Sequence, residues 1–398
     1  MSKHKINAIV GQSGGPTSSI NSSLVGLILG LCGSVDKIFG MLNGISGLVA
    51  NNIVDLTGLG KDSYGLSLLR DTPGAFLGSC RMRLPDDLDS VIYKQIFERI
   101  EQNGIKYFFY IGGNDSMDTV AKLSAYAKKK SLDVSIIGIP KTVDNDLVMT
   151  DHTPGYGSCA KYIGATVCEL WQDVASYDLA SVTILEVMGR DTGWLGCACA
   201  LPMMRFGYGC SLVYLPECSF SKERFLSDVE KALGKGKPIM VGVCEGISAS
   251  ESFLGFDAFG HRALAGIGKE LENSVRENLR CKTRSIELNL PQRCASHFSS
   301  LTDLLESEEI GKASAMFALE GKSGKMSAFV RRDGEYGVDI TCVDAYLVAN
   351  KTKYVPKDFI NSEGNFVTDK CERYLSPLIL GEKTIQLQNG LPRHFKLR

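Results

Sequence analysis

Residues 106–140, "KYFFYIGGNDSMDTVAKLSAYAKKKSLDVSIIGIP", decide the fold of this chain. An apolar run, KYFFYIGG, is followed by an amphipathic segment, DSMDTVAKLSAYAKKK, and then by a second apolar run, VSIIGIP. Runs that are apolar throughout, rather than alternating, suit strands buried on both faces of a parallel sheet. The spacing predicts strand, helix and strand, one βαβ unit.

The same rhythm extends outward. Upstream, KINAIVG and KIFGML read as strands, and PTSSINSSLVGLILGL as a helix with Pro16 in its first turn. SVIYKQIFERIEQN is helical, with apolar residues at Val91, Ile92, Ile96, Phe97 and Ile100. Downstream, SVTILEVMG, SLVYLPE and PIMVGVCEG read as strands, separated by WLGCACALPMM and SKERFLSDVEKALG. A long helix, HRALAGIGKELENSVRENL, a strand, KTRSIELNL, and a further helix, SSLTDLLESEEIGKASAMFALEG, follow. The pattern predicts an α/β protein in two blocks that divide near residue 155 with no low-complexity linker. The expected division is 1–155 plus about 293–345, and 156–292 plus about 346–398. The tail, YLVANKTKYVPKDFINSEGNF, carries no motif and is expected to pack on the second domain.

Composition narrows the function classes. Of 398 residues, 44% are hydrophobic and 22% charged, the balance of a soluble globular protein. The net charge of −1 gives no electrostatic footprint for nucleic acid or a membrane surface, so an anionic ligand must be held by local groups. No apolar run approaches the ~20 residues of a membrane helix, and MSKHKINAIVG lacks the apolar core of a signal peptide. A cytoplasmic protein is expected. The 13 cysteines are scattered without a CxxC pair, which argues against a zinc site or a disulfide framework. With only five histidines, the chemistry is expected to rest on carboxylates.

In parallel α/β sheets, ligands bind beyond the carboxyl ends of the strands. Five loops leave such ends: GQSGGPTS, GGNDS, PKTVDND, EVMGRDTG and VCEGIS. GQSGGPTSSIN is a glycine turn before a helix, where N–H groups and the helix dipole favour an anion. It lacks the Lys-Ser/Thr of a Walker loop and the third glycine of a dinucleotide fingerprint, so a structural turn and a phosphate site remain about equally open. In GGNDS, Asp115 or Ser116 is placed to cap the next helix. PKTVDND carries Asp144 and Asp146 two apart, so one carboxylate can orient a hydroxyl while the other helps hold Mg²⁺. Arg81, Arg190, Arg284 and Arg293 are available as phosphate clamps.

In that order, GGNDS, PKTVDND, EVMGRDTGW, CEG and TRSIELNLPQR resemble the 6-phosphofructokinases over residues 5–345. The resemblance implies two Rossmann-like three-layer αβα domains with mainly parallel sheets and the active site between them. It implies phosphoryl transfer to the 1-hydroxyl of fructose 6-phosphate with Mg²⁺, and a homo-oligomer, dimer or tetramer. Asp144 is similar to the family's general base, with Thr142 orienting the hydroxyl or the phosphate, and Thr142, Val143 and Asp144 resemble substrate contacts. Gly14 and Arg81 resemble donor-phosphate contacts. Met188, Gly189, Arg190, Glu245, Arg284 and Arg293 resemble the sugar-phosphate site. Asn114 stands where the family often has a metal-associated aspartate, and Asp146 is a further metal candidate.

Two residues set the expected donor. ATP-using members of the family carry GGDG and PGT, where this chain has GGND and PKT. Asp115 places a carboxylate where the α-phosphate of ATP would lie, and Lys141 supplies a cation for pyrophosphate and its leaving phosphate. An unpaired charge against phosphate in a partly desolvated site discriminates by about 10³ or more. Both substitutions resemble the diphosphate-dependent branch. The expected donor is therefore inorganic pyrophosphate, and the reaction should run in both directions because pyrophosphate and a sugar phosphate ester lie close in free energy. The alternatives are an ATP-dependent enzyme, a catalytically silent regulatory subunit, and a dinucleotide-dependent dehydrogenase. The acceptor end departs from the family: Ser181 replaces an arginine, Leu290 a His or Tyr, and Cys294-Ala295 a Gly-Gly.

Overall fold

Ala8, Ile9 and Val10 are wholly buried, and alternate residues of this one strand serve two cores. Ala8 and Val10 pack with Leu24, Ile28, Ile310 and Ala315 on one side of the sheet, while Ile9 packs with Ile96, Val120 and Leu123 on the other. A strand so placed must be apolar at every position, which is the pattern the sequence carries.

The structure is a computed structural model that describes residues 6–80, 82–234, 236–247 and 266–396. In chain order the strands of the two larger sheets are β1 (Asn7–Gln12), β2 (Lys37–Met41), β3 (Ile53–Asp55), β4 (Ile105–Gly112), β5 (Ser135–Pro140), β6 (Ser181–Val187), β7 (Cys210–Tyr214), β8 (Ile239–Cys244), β9 (Lys282–Glu287), β10 (Lys325–Arg331) and β11 (Val338–Asp344). Two compact units form: 1–158 with 293–352 and 381–398, and 159–292 with 353–380.

Among the described residues, the first unit holds a seven-stranded sheet in the order β11-β10-β5-β4-β1-β2-β3. Its interior pairs are parallel, and the outer pairs β2–β3 and β10–β11 are antiparallel. Helices Ile20–Leu31 and Leu301–Leu319 cover one face, and Val91–Gln102 and Asn114–Lys129 the other. The first pair approach to backbone contact: a Cβ on Gly26 would lie 1.9 Å from the Glu308 carbonyl oxygen, and one on Gly311 2.2 Å from that of Ser23. That approach anchors a helix from the last quarter of the chain to the first helix of the molecule.

The second unit has a four-stranded parallel sheet, β7-β8-β6-β9. Helix Trp194–Phe206 reaches it where Cys199 meets Gly242, and helix Ile267–Leu279 where Gly268 meets Glu186 and Ser285. The expected α/β class with mainly parallel sheets is what the chain forms.

Three readings of the sequence are corrected. The first helix begins at Ile20, not at Pro16, because the Thr17 hydroxyl accepts from Ile20 N at 2.9 Å and starts it there. The long helix of the second unit begins at Ile267, after Gly266 in the left-handed region, and residues 261–265 of the predicted segment lie outside the described residues. The tail does not pack on the second unit alone. Residues 353–380 belong there, whereas 346–352 and 381–396 join the first unit, where Phe395 packs on Phe76 and Lys383 pairs with Asp71. Among the described residues, no helix is long and apolar enough to cross a membrane.

Candidate active site

In the first unit β1, β4 and β5 are neighbours and parallel, so the loops after Gln12, Gly112 and Pro140 leave the same edge of the sheet. Gly14 takes φ +76°, a conformation glycine adopts without strain. Its loop is pinned from outside: Ser13 Oγ donates to Cys80 O at 2.8 Å and Ser79 Oγ donates to Gly14 O at 2.6 Å. Beneath it, burial pushes the Tyr110 phenol up to about 12 against a hydrogen bond with Ser13, so it stays neutral.

Lys141 enters this loop from β5. Its side chain is 2% exposed, its ammonium donates to Gly15 O, and Nζ lies 3.3 Å from where a Cβ on Gly14 would stand. A buried cation is thereby held inside the glycine turn. The guanidinium of Arg293 lies 3.2 Å from where a Cβ on Gly15 would stand. The sequence grouped Arg293 with sugar-phosphate contacts; the structure sets it beside the glycine loop of the first unit. Arg81 lies outside the described residues.

After β4, the helix Asn114–Lys129 starts two residues earlier than a cap at Asp115 would require, and three earlier than a cap at Ser116. Gly113 is the N-cap and no side chain caps the helix. Ser116 is turned back on Gly112, where a Cβ would lie 1.9 Å from its Oγ. Asp115 therefore stands inside the first turn, 52% exposed, in an ion pair with Arg83 at 3.1 Å. This corrects the expectation of an unpaired, partly desolvated carboxylate. Coulombic repulsion of an approaching phosphate is compensated by Arg83, and an exposed pair of this kind is worth about 0–1 kcal/mol. Arg83, two residues beyond Arg81, carried no motif that singled it out.

The loop after β5 is built on its own hydroxyls. Thr142 Oγ1 donates to Asp144 Oδ2 at 3.3 Å and accepts from Asp144 N at 3.1 Å. Thr153 Oγ1 donates to Thr142 O at 2.8 Å, and Asn145 takes φ 53°. Val143 is buried beneath the turn. Asn114 Nδ2 donates to Asp146 Oδ2 at 3.3 Å, while Asn114 Oδ1 is buried without a hydrogen-bond partner among the described residues. The loop ends in a buried cluster. His152 lies between Asp151 (2.9 Å) and Glu306 (2.8 Å) and stacks on Phe329, with Arg331 on Asp151 and Tyr336 on Glu306.

In the second unit, the loops after β6 and β8 cross at backbone contact. Glu245 N donates to Val187 O at 2.9 Å, Gly246 N donates to Gly189 O at 3.1 Å, and a Cβ on Gly246 would lie 1.8 Å from Arg190 O. Gly189 takes φ +133° and Met188 N donates to Gln292 Oε1 at 3.2 Å. Met188, Gly189, Arg190 and Glu245 are thus brought together. Glu217, unmarked in the sequence, accepts from Gly193 N and Val355 N at 2.9 Å each and so ties the end of this loop to the tail; burial raises its carboxyl against those bonds.

Arg284 is not on a strand-end loop. It lies within β9, opposite Thr183, and reaches Asp173 at 3.5 Å. With Ser181 and Lys282, which face each other in register, it lines a shallow cavity at the amino ends of β6 and β9, opposite the end that carries Arg190.

Residues 7–316 match the family model described as phosphofructokinase. A pyrophosphate–fructose 6-phosphate 1-phosphotransferase of Halomonas elongata is 37% identical over 100% of this chain and 97% of its own length. The enzyme of the same name from Methylococcus capsulatus is 36% identical over 98% of this chain and 96% of its own length. The crystal structure of a pyrophosphate-dependent phosphofructokinase from Marinobacter aquaeolei superposes with a TM-score of 0.88 at 34% identity, covering 98% of this chain and 96% of that one.

Proposed function

The chain belongs to the phosphofructokinase family, and we propose that it transfers a phosphoryl group reversibly between pyrophosphate and the 1-hydroxyl of fructose 6-phosphate. One observation carries the choice of donor: the buried Lys141 ammonium bonded to Gly15 O within the glycine turn. A cation there matches a compact dianionic phosphate and occupies room a nucleotide needs. Asp115, at the head of the adjacent helix, fills the second turn.

Asp144 is the base. It takes the proton of the 1-hydroxyl as that oxygen attacks the terminal phosphorus of pyrophosphate; the bridging P–O bond breaks and inorganic phosphate leaves with the electron pair. The two hydrogen bonds between Thr142 and Asp144 fix the carboxylate's orientation, and Thr142 is poised to turn its hydroxyl to the substrate. Gly14, Arg81, Asn114, Asp115 and Lys141 are the proposed diphosphate contacts. Mg²⁺ fits Asn114 and Asp146, since a buried amide oxygen lacking a partner beside a carboxylate suits a hard cation. Among the described residues no group of three or more His, Cys, Asp or Glu is placed to hold a metal ion, so Asn114 and Asp146 would hold Mg²⁺ together with oxygens of the substrate. When bound, the ion neutralises charge on the phosphate oxygens.

In the second unit Met188, Gly189, Arg190 and Glu245 are the proposed sugar-phosphate contacts. Arg284, at the opposite end of that sheet, would serve the sugar phosphate of a neighbouring subunit in the homo-oligomer, and Lys282 would stand in there for the arginine absent at Ser181, its register partner. Arg293 completes the anion contacts from its place beside Gly15. A coupled assay with fructose 6-phosphate, Mg²⁺ and either donor tests the reading. Turnover with pyrophosphate and formation of pyrophosphate in the reverse direction are expected; faster turnover with ATP would overturn it.

A further inference from the structure

We propose that residues 381–396 are a positioning strap for the donor-phosphate loop, acting through Thr72 and Phe395. The inference rests on the donor reading above. Segment 71–80 has neither helix nor strand, so its shape is set by what it touches.

On its inner side, the buried Asn21 amide donates to Thr72 O and Gly74 O at 2.8 Å each. Asn21 Oδ1 accepts from Phe76 N at 3.2 Å and from Gln12 Nε2 at 2.9 Å, and Gln12 Oε1 accepts from Leu77 N at 2.8 Å. Gln12 is the last residue of β1, immediately before Ser13-Gly14-Gly15. The segment then reaches the glycine loop itself through the two bonds that join Ser13 to Cys80 and Ser79 to Gly14. Gly14 takes a left-handed φ that glycine alone adopts without strain, and these bonds hold it there.

On its outer side the same segment is held by the strap. Lys383 pairs with Asp71, Phe395 N donates to Thr72 Oγ1 at 2.8 Å, and the Phe395 ring meets Phe76 edge-on at 5.4 Å. Between those ends the strap is an exposed hairpin, Leu387–Gln388 against Leu391–Pro392, with little core of its own. Its two ends converge on residues 71–76, and each further step to Gly14 is a direct contact. A placement error of about 1 Å in a binding group costs up to ~10²-fold, so slack at the strap should register at the donor site.

The test uses the full-length protein with Thr72→Val, Thr72→Ser and Phe395→Ala. Thr72→Val and Phe395→Ala are expected to raise KM for pyrophosphate about tenfold and to leave KM for fructose 6-phosphate within about twofold. Thr72→Ser, which keeps the hydroxyl, is expected to restore the wild-type value. Equal movement of both KM values, movement of neither, or failure of serine to rescue would overturn the proposal. Should Phe395→Ala fail to melt cooperatively, the Thr72 pair decides. If the wild type uses ATP in place of pyrophosphate, the donor reading falls, and the same split read on ATP still decides the strap.

Discussion

The strand-end loops of the two units solve the same problem differently. In the first unit they are held by side chains: Ser13 and Ser79 across the glycine turn, Lys141 within it, and Thr142 and Thr153 around Asp144. In the second the crossing itself is held by backbone, the Gly189–Arg190 and Glu245–Gly246 turns meeting where no side chain fits, while Gln292 and Glu217 hold the flanking Met188 and Gly193. Side-chain closure leaves space that single residues can fill or vacate, which makes the proposed donor end the place where donor choice would change. Backbone closure fixes the shape of the acceptor loops at the cost of tolerating no Cβ there.

The largest expected effect removes the chemistry from this contrast. Asp144→Asn should lower kcat by about 10³–10⁴ with either KM little changed, because the base is lost and the Thr142 bond is kept. Steady-state kinetics in both directions check it. Next, Asp115→Gly with Lys141→Gly should shift the ratio of kcat/KM for pyrophosphate over ATP by about 10²–10³ toward ATP, a change read from paired donor titrations. An unchanged ratio would mean that side-chain closure does not govern the donor.

Gly246→Ala tests the other half. Its Cβ would meet the Arg190 carbonyl at 1.8 Å, so the two turns must part. KM for fructose 6-phosphate should rise about 10–100-fold while KM for pyrophosphate holds. A parallel rise in both would erase the distinction between the loops.

The smallest effect concerns the cluster at the end of the Asp144 loop. Burial pulls the His152 pKa down, but hydrogen bonds to Asp151 and Glu306 outweigh it and hold the group above its ordinary 6.5. That stabilisation is full below 6.5 and is lost as pH rises through the folded value. For Asp151, burial raises the pKa, but His152 and Arg331 prevail and hold it below its ordinary 3.8. Its contribution is present above 3.8 and is lost as pH falls through the folded value. The melting temperature should therefore be highest between those limits and fall by a few degrees, about 2–5 °C, on the alkaline side. In His152→Gln that alkaline decline should flatten, as read by melting curves from pH 5 to 9.

The interior strands were legible because burial on both faces leaves no freedom of composition: KYFFYIGG and VSIIGIP admit one reading. Strands β10 and β11 carry no such mark, since β11 is a half-exposed antiparallel edge. Helix Tyr156–Val174 opens among glycines, which propensity disfavours, and takes its anchor from Asp303, which accepts from Gly155 N and Ser158 far along the chain. In the candidate site, Asp144, Lys141 and Arg190 carry motifs that mark them out, and their roles are proposals. Arg83, Ser79, Glu217 and Asn21 were not marked out, because their roles come from contacts between segments distant in sequence. Lys141 shows the converse: its charge is read from the sequence, and the fold adds that it is buried with its ammonium on Gly15 O.

Inhibition of the pyrophosphate-driven rate by ATP tests the central claim most directly. If Lys141 and Asp115 fill the room a nucleotide needs, ATP at about ten times the pyrophosphate KM should leave the forward rate unchanged once Mg²⁺ is held constant. Competitive inhibition by ATP with a constant comparable to the pyrophosphate KM would contradict it.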